Sequence, residues 1–74
     1  MTLYTIDTNA GPILQREFRS PAAVRSYMEQ SIPLLSKRGY SCRWERSKRW
    51  HVIRVLNSKG RVVHSAAFRP GAIR

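Results

Sequence analysis

Cationic side chains in one segment are the strongest chemical signal in this sequence. Basic and aromatic residues are interleaved in the run Arg43-Trp44-Glu45-Arg46-Ser47-Lys48-Arg49-Trp50-His51. Arginine and lysine neutralise phosphates and release counterions, and an adjacent aromatic ring can stack on an unpaired base. The pattern predicts that the segment 43–61 contacts a polyanion, most simply nucleic acid, through Arg43, Arg46, Lys48, Arg49, Trp50, Arg54, Lys59 and Arg61.

The positive charge lies almost entirely in one half of the chain. The net charge is +10, but residues 1–36 carry three basic and three acidic groups, whereas residues 37–74 carry eleven basic groups against Glu45. Such an asymmetry predicts a scaffold half and a contact half. An acidic protein surface would match the same charge, so it stays open as a second class of partner.

Histidine offers the only other acid–base chemistry in this half. Because histidine as a residue type titrates near neutrality, His51 and His64 are candidates for a general acid–base pair, and neighbouring arginines could stabilise a charged transition state. One strand pairing would put them on the same face, two rows apart. Two histidines without a third ligand do not predict a zinc site, and the lone Cys42 excludes an intrachain disulfide. We therefore predict no metal and no cofactor, with His51 as the catalytic candidate if the protein is an enzyme.

Three stretches resemble a known family. They are Leu34-Leu35-Ser36-Lys37-Arg38-Gly39-Tyr40, the segment 47–51, and Gly60-Arg61-Val62-Val63-His64. Together they resemble the HicA family of toxin messenger-RNA interferases over roughly residues 34–70. The resemblance implies a double-stranded-RNA-binding-like fold and makes His51 the catalytic histidine. The chain departs from the family pattern, because it lacks the Gly-Ser-His core and predicts two extra N-terminal strands and no clear C-terminal helix.

Local signals in the first half predict a hairpin followed by a helix. Residues 3–7 and 13–18 are typical of short strands, and Gly11-Pro12 marks the turn between them. Ser20-Pro21 favours a helix start, since serine caps helices and proline is tolerated at their first position. The stripe Val24, Met28, Ile32, Leu35 predicts a helix over about 21–38, which Pro33 should kink or end.

The second half predicts a three-stranded meander over residues 40–46, 49–56 and 61–68. Its clearest turn is Asn57-Ser58-Lys59-Gly60. The register of this hairpin stays open, with Val55 opposite Val62 or Ile53 opposite Val63. We expect the core to contain Ile6, Leu14, Phe18, Val24, Met28, Leu35, Tyr40 and Trp44.

These elements predict a single α+β domain over residues 1–74, with an antiparallel sheet of about five strands and one helix packed on a face, in the order ββαβββ. No apolar run or leader pattern predicts membrane insertion or export, so we expect a cytoplasmic protein. The leading hypothesis is a non-enzymatic nucleic-acid-binding domain. The alternatives are a phage- or mobile-element-type inhibitor or adaptor, anti-CRISPR-like, and a HicA-like ribonuclease using His51. The uncovered sheet face leaves a homodimer open.

Overall fold

A computed structural model describes residues 1–9 and 11–72 and has the predicted ββαβββ order. One five-stranded antiparallel sheet has the strand order β2-β1-β5-β4-β3. The predicted fold class is therefore confirmed. The elements are β1 (Thr2–Asp7), β2 (Leu14–Phe18), α1 (Pro21–Ser31), a 3₁₀ turn (Pro33–Ser36), β3 (Ser41–Ser47), β4 (Trp50–Leu56) and β5 (Val62–Pro70).

The helix α1 begins and ends where its flanking residues require. Ser20 Oγ accepts a hydrogen bond from the Ala23 amide at 3.2 Å, and Pro21 occupies the first helical position. Pro33 has no amide hydrogen and its ring clashes with the preceding turn, so α1 ends at Ser31. Of the segment predicted to continue the helix to residue 38, Pro33–Ser36 instead forms the 3₁₀ turn. Within the described residues, no helix is long and apolar enough to cross a bilayer.

The hydrophobic core lies between α1 and one face of the sheet. Val24 and Met28 of the helix, with Ile32 directly after it, pack there against six sheet residues: Tyr4, Ile6, Ile53, Val55, Ala66 and Phe68. Of the predicted core, Ile6, Val24 and Met28 are buried, while Phe18, Leu35, Tyr40 and Trp44 pack at its margin. The prediction for Leu14 is wrong, because this residue lies on the edge strand β2 with 38% of its surface exposed.

The register of the β4–β5 hairpin differs from both predicted alternatives. Leu56 pairs with Val62, and an irregularity then shifts the ladder so that Val55 pairs with His64. His51 pairs with Phe68, four rows from the His64 position. Both histidines share the helix-covered face, but four strand residues correspond to about 14 Å. The prediction that they lie two rows apart is wrong, and they are too distant to exchange a proton directly.

Candidate nucleic-acid interface

The predicted binding residues divide into three groups along the sheet. Arg46, Lys48, Arg49 and Trp50 lie at the turn between β3 and β4, Arg43 and Arg54 lie in mid-sheet, and Lys59 and Arg61 lie around the β4–β5 turn. The seven residues of β4 separate the two turns by about 20 Å. The predicted surface 43–61 therefore extends along the whole length of β4, about 20 Å from one turn to the other.

The β3–β4 turn presents two cations to solvent. Ser47 pairs with Trp50, which leaves Lys48 and Arg49 as a two-residue loop. Lys48 adopts the left-handed φ of 56° that such tight hairpins require, although glycine is the usual residue there. Both side chains are exposed. The turn geometry thus projects Lys48 and Arg49 away from the sheet.

An open cleft of about 490 Å³ lies beside this turn. It is lined by Lys48, Arg49, Trp50 and Arg69, and none of these lining residues is acidic. The Arg69 guanidinium carbon lies 5.5 Å from the centre of the Trp50 ring, within the range of a cation–π interaction. Arg69 also donates a hydrogen bond of 2.9 Å to the Ala72 carbonyl. The cleft therefore combines three cations with a half-exposed indole.

Arg69 is not predictable as a site residue from the sequence, because nothing local connects it to the turn. It lies on β5, and it reaches Trp50 only because β5 is the neighbour of β4 and Phe68 pairs with His51. The aligned strand ends bring Arg69 and Trp50 together. Only a correct hairpin register would have identified this pair.

Cations also lie on the helix-covered side of the same turn. Arg46 pairs across the ladder with His51, and Arg25 of α1 lies near enough to act on the same imidazole. Burial lowers the pKa of His51, and the charges of Arg46 and Arg25 lower it further. Its ring stacks on Phe68 with 4.7 Å between ring centres. Burial and the two neighbouring charges therefore favour the neutral form of His51, and its ring acts as a packing residue. We call this region the β3–β4 end: Arg25, Arg46, Lys48, Arg49, Trp50, His51 and Arg69.

The two mid-sheet arginines already share a carboxylate. Arg43 Nη2 lies 2.9 Å from Glu45 Oε2, and Arg54 Nε lies 2.8 Å from Glu45 Oε1. The hydrogen bond from Arg54 and the charges of both arginines lower the pKa of Glu45. Glu45 thus offsets part of the positive charge on the face that α1 does not cover.

The β4–β5 turn uses Asn57 to organise its backbone. Asn57 Oδ1 accepts hydrogen bonds of 3.0 Å from the amides of Lys59 and Arg61. Gly60 adopts a φ of 78°, as this turn requires. The side chains of Lys59 and Arg61 are exposed at the opposite end of the sheet from Trp50. They are separate from the cleft.

Trp44 differs from Trp50 in its environment. It packs edge-on against Phe68, and its indole nitrogen donates a 2.7 Å hydrogen bond to Glu29 Oε2. The neighbouring Cys42 is half-buried, and both burial and Glu29 raise the pKa of its thiol, which lowers its reactivity. Trp44 is therefore a core-margin residue. Across residues 1–9 and 11–72, no cluster of three or more His, Cys, Asp or Glu side chains could hold a metal ion.

A second cavity lies on the helix side of the sheet. It has a volume of about 280 Å³, and its mainly apolar lining includes Ile6, Leu14, Met28, Ile32 and His64. No arginine or lysine lines it. Its chemistry suits an apolar group rather than a phosphate.

Comparisons of the chain with protein families, with curated proteins and with solved structures found no match. The resemblance to the HicA family gains no support from them. Function must therefore be argued from the site itself.

Proposed function

We propose that the protein is a non-enzymatic nucleic-acid-binding domain that contacts the phosphate backbone through the β3–β4 end. The observation that carries the proposal is the cleft in which Lys48, Arg49 and Arg69 surround Trp50. Cations neutralise phosphates, and the interleaved aromatic ring supplies a stacking surface, which is the combination found in proteins that bind single strands.

The positions of the acidic residues also favour the β3–β4 end as the binding surface. Glu29 accepts the Trp44 hydrogen bond, and Glu45 is paired with Arg43 and Arg54. Asp7 lies on β1 opposite Ala67 and accepts a hydrogen bond from the Asn9 amide, and Glu17 lies on β2, three strands away from β4, or about 14 Å. The potential at the β3–β4 end is therefore dominated by cations, and it attracts polyanions from solution.

Binding to nucleic acid at low salt tests the proposal. Fluorescein-labelled single-stranded and duplex oligonucleotides of DNA and RNA are titrated with the full chain at about 50 mM salt and then at higher salt. We expect a dissociation constant in the micromolar range and a linear fall of log affinity with log salt. Negligible affinity for all four probes would reject the proposal.

Two further measurements separate the alternatives. Pull-down from nuclease-treated lysate tests the inhibitor or adaptor hypothesis, which requires a stoichiometric protein partner that survives nuclease. Incubation with RNA tests the ribonuclease hypothesis, which requires cleavage that the variant His51→Ala loses while it stays folded. We expect intact RNA in this assay, because the His51 ring is stacked on Phe68 and His64 lies four rows away, so the two histidines cannot act as a general acid–base pair.

A further inference from the structure

We infer that Trp50 and Arg69 form a stacking site for an unpaired base, so that the ligand is a single-stranded nucleic acid. This inference rests on the proposed function, and it specifies that the same cleft binds a single strand rather than a duplex. Its basis is the contrast between Trp50 and every other aromatic side chain, together with the way Arg69 is held.

Trp50 is the aromatic residue that the fold does not use in its core. The chain has two Trp, three Tyr and two Phe residues, and six of these seven lie in the core or pack against it. Trp50 instead lines the open cleft and is half-buried. A large ring left partly in water gives up burial free energy, and it offers a flat apolar surface to a ligand.

Arg69 lies over that ring and makes two contacts that hold its guanidinium there. Its guanidinium carbon lies 5.5 Å from the centre of the Trp50 ring, and its Nη2 donates to the Ala72 carbonyl at 2.9 Å. A guanidinium held in this way is preorganised for a planar partner or a phosphate oxygen, since less side-chain freedom is lost on binding. Trp50 and Arg69 therefore offer a π-surface and a cation together.

The remaining cations of the cleft are placed to bind the phosphates of a stacked nucleotide. Lys48 and Arg49 line the same cleft and can neutralise the phosphates that flank a stacked base. The cleft volume of about 490 Å³ falls within the range of about 300–1,000 Å³ for small-ligand sites. Bases within a duplex already stack on their neighbours, so Trp50 reaches a base only if the strand is unpaired.

The test separates base recognition from backbone charge. Fluorescence anisotropy measures binding of a thymidylate strand, a uridylate strand, an abasic strand of equal length and charge, and a duplex, each about 12 nucleotides long. We expect at least one base-bearing strand to bind about 5- to 150-fold more tightly than the abasic strand. The difference in affinity between the thymidylate and uridylate strands then shows whether DNA or RNA is the preferred source of the base.

Variants at position 50 assign the effect to the ring. Trp50→Leu keeps an apolar side chain without a π-surface, and it should lower the ratio of base-bearing to abasic affinity toward one. Trp50→Phe should retain most of the preference, and circular dichroism checks that both variants fold. Equal wild-type affinity for base-bearing and abasic strands, tighter binding to the duplex, or an equal loss on both strands in Trp50→Leu would overturn the inference. Absence of binding to every probe would instead reject the proposed function.

Discussion

Phe68 joins the core to the β3–β4 end. It is fully buried, and its ring contacts Tyr4, Trp44 and His51 at centre-to-centre distances of 5.8, 5.7 and 4.7 Å. Side chains from four strands, β1, β3, β4 and β5, therefore meet at this ring. Its neighbour Arg69 faces the opposite side of the sheet and lines the cleft.

Truncation of Phe68 should destabilise the whole domain. Phe68→Ala removes a buried ring and leaves a cavity, which typically costs about 3–5 kcal/mol in the free energy of unfolding. Urea denaturation followed by circular dichroism measures this change, and Phe68→Leu should cost less than Phe68→Ala because it removes fewer buried atoms. Val62→Ala is the matched surface control, because Val62 is 44% exposed. A cost for Phe68→Ala no larger than that of Val62→Ala would contradict the described core.

His51 links pH to stability at the same site. Its pKa is lowered by burial and by the charges of Arg46 and Arg25, so the unfolded chain binds a proton more readily than the folded one. The associated stability is present above the unfolded pKa of about 6.5 and is lost as the pH falls below it.

This linkage predicts a melting temperature that falls between about pH 7.5 and pH 5.5. His51→Phe keeps a ring against Phe68 but cannot titrate, so the fall should be smaller in this variant. His64→Gln is the histidine control, and it should retain the His51 contribution because it alters a position four rows away. An identical pH profile for wild type and His51→Phe would contradict this description of His51.

At the scale of the elements, turn chemistry was predictable and strand register was not. Asn57 to Gly60 was identified as a turn because Gly60 tolerates positive φ, and Pro33 was identified as a helix breaker. The irregularity between Val55 and Leu56 has no comparable signature, because valine and leucine fit either register. That shift decides which residues face each other across β4 and β5. Because it has no sequence signature, the pairing of these two strands could not be predicted.

The β4–β5 turn should be sensitive to loss of its glycine. Gly60→Ala places a Cβ in open space but forces alanine to a φ of 78°, which costs about 1–2 kcal/mol. Gly11→Ala also meets no atom within 4 Å, and Gly11 does not have a positive φ, so this control should be neutral or slightly stabilising. Urea midpoints of the two variants measure the difference. Equal stability would show that the turn does not need its left-handed conformation.

At the scale of the whole molecule, the fold brings together charges that the sequence separates. Arg25 comes from the half with no net charge and Arg69 from the end of β5, yet both lie at the β3–β4 end. Lys59 and Arg61 are only about ten residues after the β3–β4 turn in sequence, but they lie about 20 Å from it along β4. Composition predicted that the protein is a polycation, whereas the strand order determines where its cations lie.

Matched charge neutralisation at the two ends tests the central claim most directly. Lys48→Gln with Arg49→Gln removes two cations at the β3–β4 end, and Lys59→Gln with Arg61→Gln removes two at the opposite end. Beyond about 0.1 M salt the screening length of about 10 Å is shorter than their separation, so the two ends act independently. Salt-dependent anisotropy with a single-stranded probe compares both variants with wild type.

We predict that the first double variant weakens binding and lowers the log–log salt slope by about 2, since each lost phosphate contact lowers it by about 1. The second should stay close to wild type in both affinity and slope. Equal losses in the two variants would contradict a binding surface at the β3–β4 end and would leave only a general attraction between a polycation and a polyanion.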